Sequence, residues 1–175
     1  MGNYHLLLLV PILAACTANY QVNNLSGTEN TVRLDKQKGV YLTVPADGAY
    51  GPKTYPGSGQ TVTQVVAAAF SRSASQVHIA EKQLTKEEAV AAAKQLNAGY
   101  VVILVITHWE QRATEWSGIP SRMAIRMSIF DTATGNQVFS TGIEGRSRIV
   151  SWITTSPESL LKDPVANYVN GLYQR

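Results

Sequence analysis

Seven consecutive residues, YVVILVI from Tyr100 to Ile106, constrain the fold of this chain more than any other stretch. The run is apolar and largely β-branched at every position, so it predicts a central strand buried on both faces, one of them beneath helices. A strand of that kind needs layers around it, and the rest of the chain has to supply them.

The flanking segments do so. GVYLTV, from Gly39, alternates as a half-buried strand, and PADGAYGPKTYPGSG (Pro45 to Gly59) reads as a long loop pinned by Tyr50 and Tyr55. Val62, Val65, Val66, Ala69 and Phe70 make one apolar face of a helix over about 61–73. A short strand at Val77 to Ile79 follows, with His78 facing away from its neighbours. Thr85 and Glu88 then form a capping box for a second helix with Ala89, Ala92, Ala93 and Leu96 on one face, and Gly99 stands where a left-handed C-cap belongs.

Beyond the central strand, RMAIRMSIFD alternates with Met123, Ile125, Met127 and Ile129 on one side and Arg126 and Ser128 on the other. DTATGN is a hairpin turn with Gly135 free to take a positive φ, and NQVFSTGIEGRSRI returns. Ser156 and Pro157 start a last helix that carries Leu161, Val165, Tyr168 and Leu172 on one stripe. Asp163 and Pro164 repeat the start signal, predicting a kink or a restart. The expected order is β-α-β-α-β-β-β-α: an α+β domain whose mixed, mostly antiparallel sheet has helices packed on one face. A length of 175 residues with 45% hydrophobic and 15% charged residues suits one such domain with short appendages.

The N-terminus carries an address. LLLLVPIL, Leu6 to Leu13, is too short to span a bilayer and is followed by small residues, the build of a secretory signal over residues 1–15, although its n-region MGNYH has no Lys or Arg. LAAC, ending at Cys16, resembles the lipobox of bacterial lipoproteins. That resemblance implies cleavage before Cys16, a diacylglyceryl thioether on its sulfur and acylation of its new amino group. Cys16 is the chain's single cysteine, so no internal disulfide or CxxC metal site exists. Thr17 in place of Asp after the cysteine implies, by the sorting rule of Gram-negative lipoproteins, outer-membrane anchoring on the periplasmic face. Residues 16–38 then read as a lipidated polar tether, with a short strand at Val32 and Leu34 as the alternative for its second half, and residues 39–175 as the globular domain.

The pieces PADGAYG, YPGSG, LNAGYVVILVITHWEQRATEWSGIP and FDTATGNQV resemble the DUF4823 family of bacterial lipoproteins over roughly residues 40 to 150. The element order is also similar to small α+β envelope-lipoprotein domains and to TolB-type N-terminal domains, which act by binding other envelope proteins. What this implies is a structural or accessory binding module with an envelope protein as partner, not an assigned reaction.

THWEQRATEW, Thr107 to Trp116, is the densest cluster of chemically capable side chains. His108 and Glu110 offer two metal ligands where about three must converge, so no metal is expected, and no cofactor motif is present. A deaminase would need PCxxC, and a serine hydrolase of the α/β type GxSxG; both are absent. Glu110 with Glu144 or Glu115 is a conceivable carboxylate pair for a cell-wall hydrolase, the alternative to a non-enzymatic or glycan-binding protein. On an extended strand Thr107, Trp109 and Gln111 share one face and His108, Glu110 and Arg112 the other, where Glu110 and Arg112 would meet Arg122 or Arg126 in exposed pairs worth about 0.2–1 kcal/mol each. Trp109, Arg112, Trp116, Tyr50 and Tyr55 are the candidate partner-binding residues. A net charge of +3 with scattered Lys and Arg gives no basic stripe for nucleic acid, at most a weak attraction to anionic headgroups or wall polymer. Oligomeric state is not legible.

Overall fold

A computed structural model describes residues 19–25, 33–111, 120–147 and 157–174. Cys16, Arg112, Glu115, Trp116 and Ser156 lie outside them.

The elements are β1 (Asn19–Asn24), β2 (Gly39–Leu42), β3 (Ala49–Tyr50), β4 (Lys53–Thr54), α1 (Ser58–Phe70), β5 (Val77–Ile79), α2 (Lys86–Gln95), β6 (Ala98–Glu110), β7 (Arg122–Asp131), β8 (Gln137–Arg146) and α3 (Pro157–Gln174). The main sheet is six-stranded in the order β1-β8-β7-β6-β2-β5, with β3 and β4 forming a separate two-stranded ribbon. Strand β2 runs parallel to β5 and β6, while the β6-β7-β8-β1 run is antiparallel. This is the expected mixed α+β sheet in nearly the expected order.

Helices α1 and α3 pack together over one face. Their Val62, Val66, Phe70, Leu161, Val165 and Val169 meet Val40, Leu42, Val102, Leu104, Ile125 and Met127 in the main core. The alternate residues Tyr41, Val101 and Phe130 form a smaller cluster with Ala89 and Ala93 of α2. Because α2 reaches only the first half of β6, burial of the central run is incomplete. Val101 is fully buried, whereas Val105 is 45% exposed.

The remaining departures have local causes. Asn19–Asn24, inside the expected tether, pairs with β8 along its whole length, and the Thr141 hydroxyl donates to the Asn23 carbonyl at 3.1 Å. Leu34, considered for a strand, instead buries its side chain, and its N–H donates to Leu172 O at 3.0 Å. The capping box of α2 is present, but the helix ends earlier than its pattern suggests. Asn97 (φ 55°) takes the left-handed position, Gly99 lies in β6, and Leu96 is 45% exposed. The 131–136 turn forms as expected, with Gly135 at φ 71° and the Asp131 carboxylate accepting from the N–H groups of Ala133 and Thr134.

Pro164 neither stops nor restarts α3, which runs on from Pro157 to Gln174. Its missing N–H deprives the Leu160 carbonyl of the usual helical donor. That carbonyl lies against Gly145 of β8, where a Cβ would come within 2.7 Å of it. Glycine on the strand is what lets the proline-bearing turn approach the sheet.

Candidate functional site

The loop from Pro45 to Gly59 shapes one end of the sheet, and a carboxylate holds it in place. Asp47 accepts from the backbone N–H of Gly59 at 2.8 Å and of Gly57 at 3.1 Å, and from the Ser58 hydroxyl at 3.4 Å. These donors, Gly59 first, hold the Asp47 carboxyl below its ordinary value against the opposing effect of burial. Asp47 therefore does from eleven residues away what an N-cap side chain does locally, and α1 begins at Ser58, three residues before the apolar pattern does. Two glycines allow the loop to close. A Cβ on Gly59 would collide with the Pro45 carbonyl, and one on Gly48 would sit 2.5 Å from the Cβ of Trp109.

Trp109 lies beneath this loop because β6 carries a bulge. In the β6–β7 register Ile106 faces Ile125 and His108 faces Ala124, leaving Thr107 as the extra residue. Past that point the alternation inverts. Trp109, opposite Met123, turns into the core face at 4% exposure, while His108 and Glu110 turn to the other face. Continued without a bulge, the alternation would put Trp109 beside exposed Val105. The pairing within the motif is as expected, with His108 and Glu110 together and Trp109 apart from them.

Around Trp109 is an open groove of about 490 Å³ lined by Lys53, Tyr55, Ser58, Gln111 and Glu158 among others. Tyr55 is half-buried, its ring 6.4 Å from that of Trp109, its hydroxyl accepting from the Gln111 N–H at 3.3 Å and its face covered by the Lys53 ammonium at 4.8 Å. Tyr50 is exposed on the ribbon and meets the His108 ring edge-on at 5.4 Å. Both tyrosines thus pin the loop, as the sequence predicts. The indole Nε1–H of Trp109 is buried with no hydrogen-bond acceptor among the described residues, an arrangement that costs roughly 1–3 kcal/mol.

On the opposite face, three strands bring charges into one patch. His108 Nε2 is 3.2 Å from Glu110 Oε2, and Glu110 faces Arg122 across the β6–β7 ladder. Arg122 in turn grips Glu144 with two bonds, at 2.7 and 3.1 Å, and Arg146 Nε adds a third at 2.9 Å. Donation from Arg122, and then from Arg146, holds the Glu144 carboxyl below its ordinary value. Arg126, the other expected partner, stands opposite exposed Val105, away from Glu110. Among the described residues no group of three His, Cys, Asp or Glu side chains is placed to hold a metal ion.

Of the sequence candidates, Tyr50, Tyr55 and Trp109 meet at this end of the sheet. Trp109 is the floor of the groove rather than an exposed anchor. Glu158, Lys53 and Asp47 were not singled out from sequence. Asp47 and Gly59 carry a signal only in the Gly- and Pro-rich loop composition, and Glu158 carries none, because a helix distant in sequence delivers it.

No curated protein matches this chain in sequence. Among solved structures, the PelC dodecamer from Paraburkholderia phytofirmans superposes with a TM-score of 0.69 at 18% identity, covering 90% of this chain and 99% of that one. A single-substitution variant of the PelC dodecamer from the same organism gives 0.66 at 18% identity, over 87% and 98%. Lipoprotein GNA1162 from Neisseria meningitidis gives 0.48 at 13% identity, over 76% and 96%. The two PelC structures share this fold. A family model described as a domain of unknown function, DUF4823, matches residues 32–172, which include the loop, the bulged strand and the helix around the groove; the chain belongs to the DUF4823 family.

Proposed function

We propose that this chain is an outer-membrane lipoprotein, anchored through Cys16 on the periplasmic face, that serves as an accessory module binding an envelope protein in the groove beside Trp109. The observation that carries the reading is the groove itself, open beside Trp109 and walled by the Tyr55 ring, the Lys53 ammonium and the Glu158 carboxylate. An extended segment of a partner laid along the groove meets these aromatic, cationic and carboxylate walls with its side chains. The lipobox LAAC and the short apolar segment before it support the anchor.

In the hydrolase alternative Glu144 does not suit the general acid, which needs a raised pKa, because donation from Arg122 and Arg146 holds it low.

Two measurements test the proposal. Labelled palmitate should enter the wild type and not Cys16→Ser. A photoreactive side chain at Thr54, introduced into the full chain in intact envelopes, should cross-link a discrete partner, and the double variant Lys53→Glu, Glu158→Lys should remove that product while leaving the fold intact. Absence of a cross-link together with cleavage of muropeptides would overturn the choice in favour of an enzyme.

A second reading rests on the outer edge of β1, where Tyr20 is 48% and Val22 37% exposed. An open edge strand of that kind is a template for pairing with another copy, and a protein of the same fold is described as a dodecamer. If copies pair through β1, Val22→Lys lowers the molar mass of the lipid-free Cys16→Ser chain in light scattering.

A further inference from the structure

Strand β1 changes what an anchor at Cys16 means. Only Thr17 and Ala18 separate that cysteine from Asn19, the first residue of the ladder with β8. Three Cα steps reach at most about 11 Å. Strand β1 is paired from Asn19 onward along its whole length, and just past its far end Leu25 N–H donates to the Ser140 carbonyl at 2.9 Å.

We infer that the end of the sheet defined by Asn19, Arg146, Arg122 and Glu110 lies against the phospholipid headgroups, an inference that rests on the lipid anchor proposed above. These four residues form one continuous row across β1, β8, β7 and β6. Cys16, carrying acyl chains on both its sulfur and its amino group, sits at headgroup depth. The Asn19 end of the row is therefore within one short leash of the bilayer, while the 131–136 turn at the other end of β7 begins about 30 Å from Arg122, nine residues further along the strand.

A second feature fits the same placement. Tyr20 is 48% exposed beside the first paired residue, and tyrosine is a side chain favoured at the membrane–water interface. The Trp109 groove belongs to this end too, since Gln111 on its wall directly follows Glu110 of the row. Its partner is thus engaged at the membrane surface, not at a distance from it. The domain does not swing on a long polar tether; a short strand sets its orientation.

The test uses the single cysteine to advantage, because an introduced second thiol is the only one left to label once Cys16 is acylated. A fluorophore is placed at Lys53→Cys, on the groove wall, or at Ala133→Cys, in the distant turn, in the full lipidated chain. Each is reconstituted into phosphatidylethanolamine–phosphatidylglycerol vesicles containing a headgroup-attached spin-label quencher. Quenching should be severalfold stronger at position 53 than at 133. Inserting a flexible Gly-Ser spacer of about twenty residues between Ala18 and Asn19, which spans roughly 25 Å, should remove the difference. Equal quenching at the two positions, or a difference that survives the spacer, overturns the inference while leaving the anchor intact. Failure of the wild type to incorporate palmitate removes the anchor itself, and the inference with it.

Discussion

A methyl group added to Gly48 would stand 2.5 Å from the β-carbon of Trp109 and 2.8 Å from its Cγ. The loop backbone and the indole are therefore in direct contact, with no room for even the smallest side chain between them. Gly48→Ala should destabilise the protein by about 1–3 kcal/mol through overpacking. Gly171→Ala is the matched control: its Cβ meets no described atom within 4 Å in α3, and it should stabilise by about 0.5–1 kcal/mol. Urea unfolding of both variants checks the pair, and similar midpoints for the two would contradict the packing described.

Substitution separates the volume of Trp109 from its polar atom. Trp109→Ala leaves a cavity in the main core and should cost about 3–5 kcal/mol. Trp109→Phe keeps most of the buried ring but deletes an N–H that has no acceptor among the described residues. Its unfolding midpoint should stay near or above that of the wild type. A large loss of stability in the phenylalanine variant would show that the indole N–H is already satisfied.

Deletion of Thr107 should be tolerated better than its place inside a motif suggests. Removing the bulge residue keeps Ile106 opposite Ile125, His108 opposite Ala124 and Trp109 opposite Met123, so Trp109 stays on the core face. We expect cooperative thermal unfolding and an unshifted tryptophan emission, whereas one alanine inserted between His108 and Trp109 should turn the indole outward and abolish cooperative unfolding. Thr107→Ser, which keeps the bulge, should melt within a few degrees of the wild type.

Acid should weaken the fold through Asp47 and Glu144. Both carboxyls are depressed in the folded protein, Asp47 by backbone donors led by Gly59 and Glu144 by Arg122. A depressed folded value contributes stability that is fully present above the unfolded value and disappears as pH falls through the folded one. The urea midpoint should thus be flat near neutrality and fall below about pH 4. The double variant Asp47→Asn, Glu144→Gln should show a shallower acid limb. An unchanged limb would assign the acid loss to other carboxylates.

Local order was legible wherever a signal and its partner lie close together in sequence. The 3.6-residue period of Val62, Val66 and Phe70, the alternation of Met123 through Ile129, the Thr85–Glu88 box and the Asp131–Gly135 turn each specify their own geometry. The sequence likewise carries the lipobox and the family pieces, because those are short linear patterns. What only the tertiary structure decided is every relation across the chain. A bulge at Thr107 reassigns faces because side-chain period two inverts with one added residue. Asp47 caps a helix it precedes by eleven residues, and Gly145 makes room for the Leu160 carbonyl opposite it. Residues 19–24 gain their strand by pairing with β8, whose edge would otherwise be open. Their own composition is polar and reads as a tether, so the partner strand, not local propensity, makes them part of the sheet.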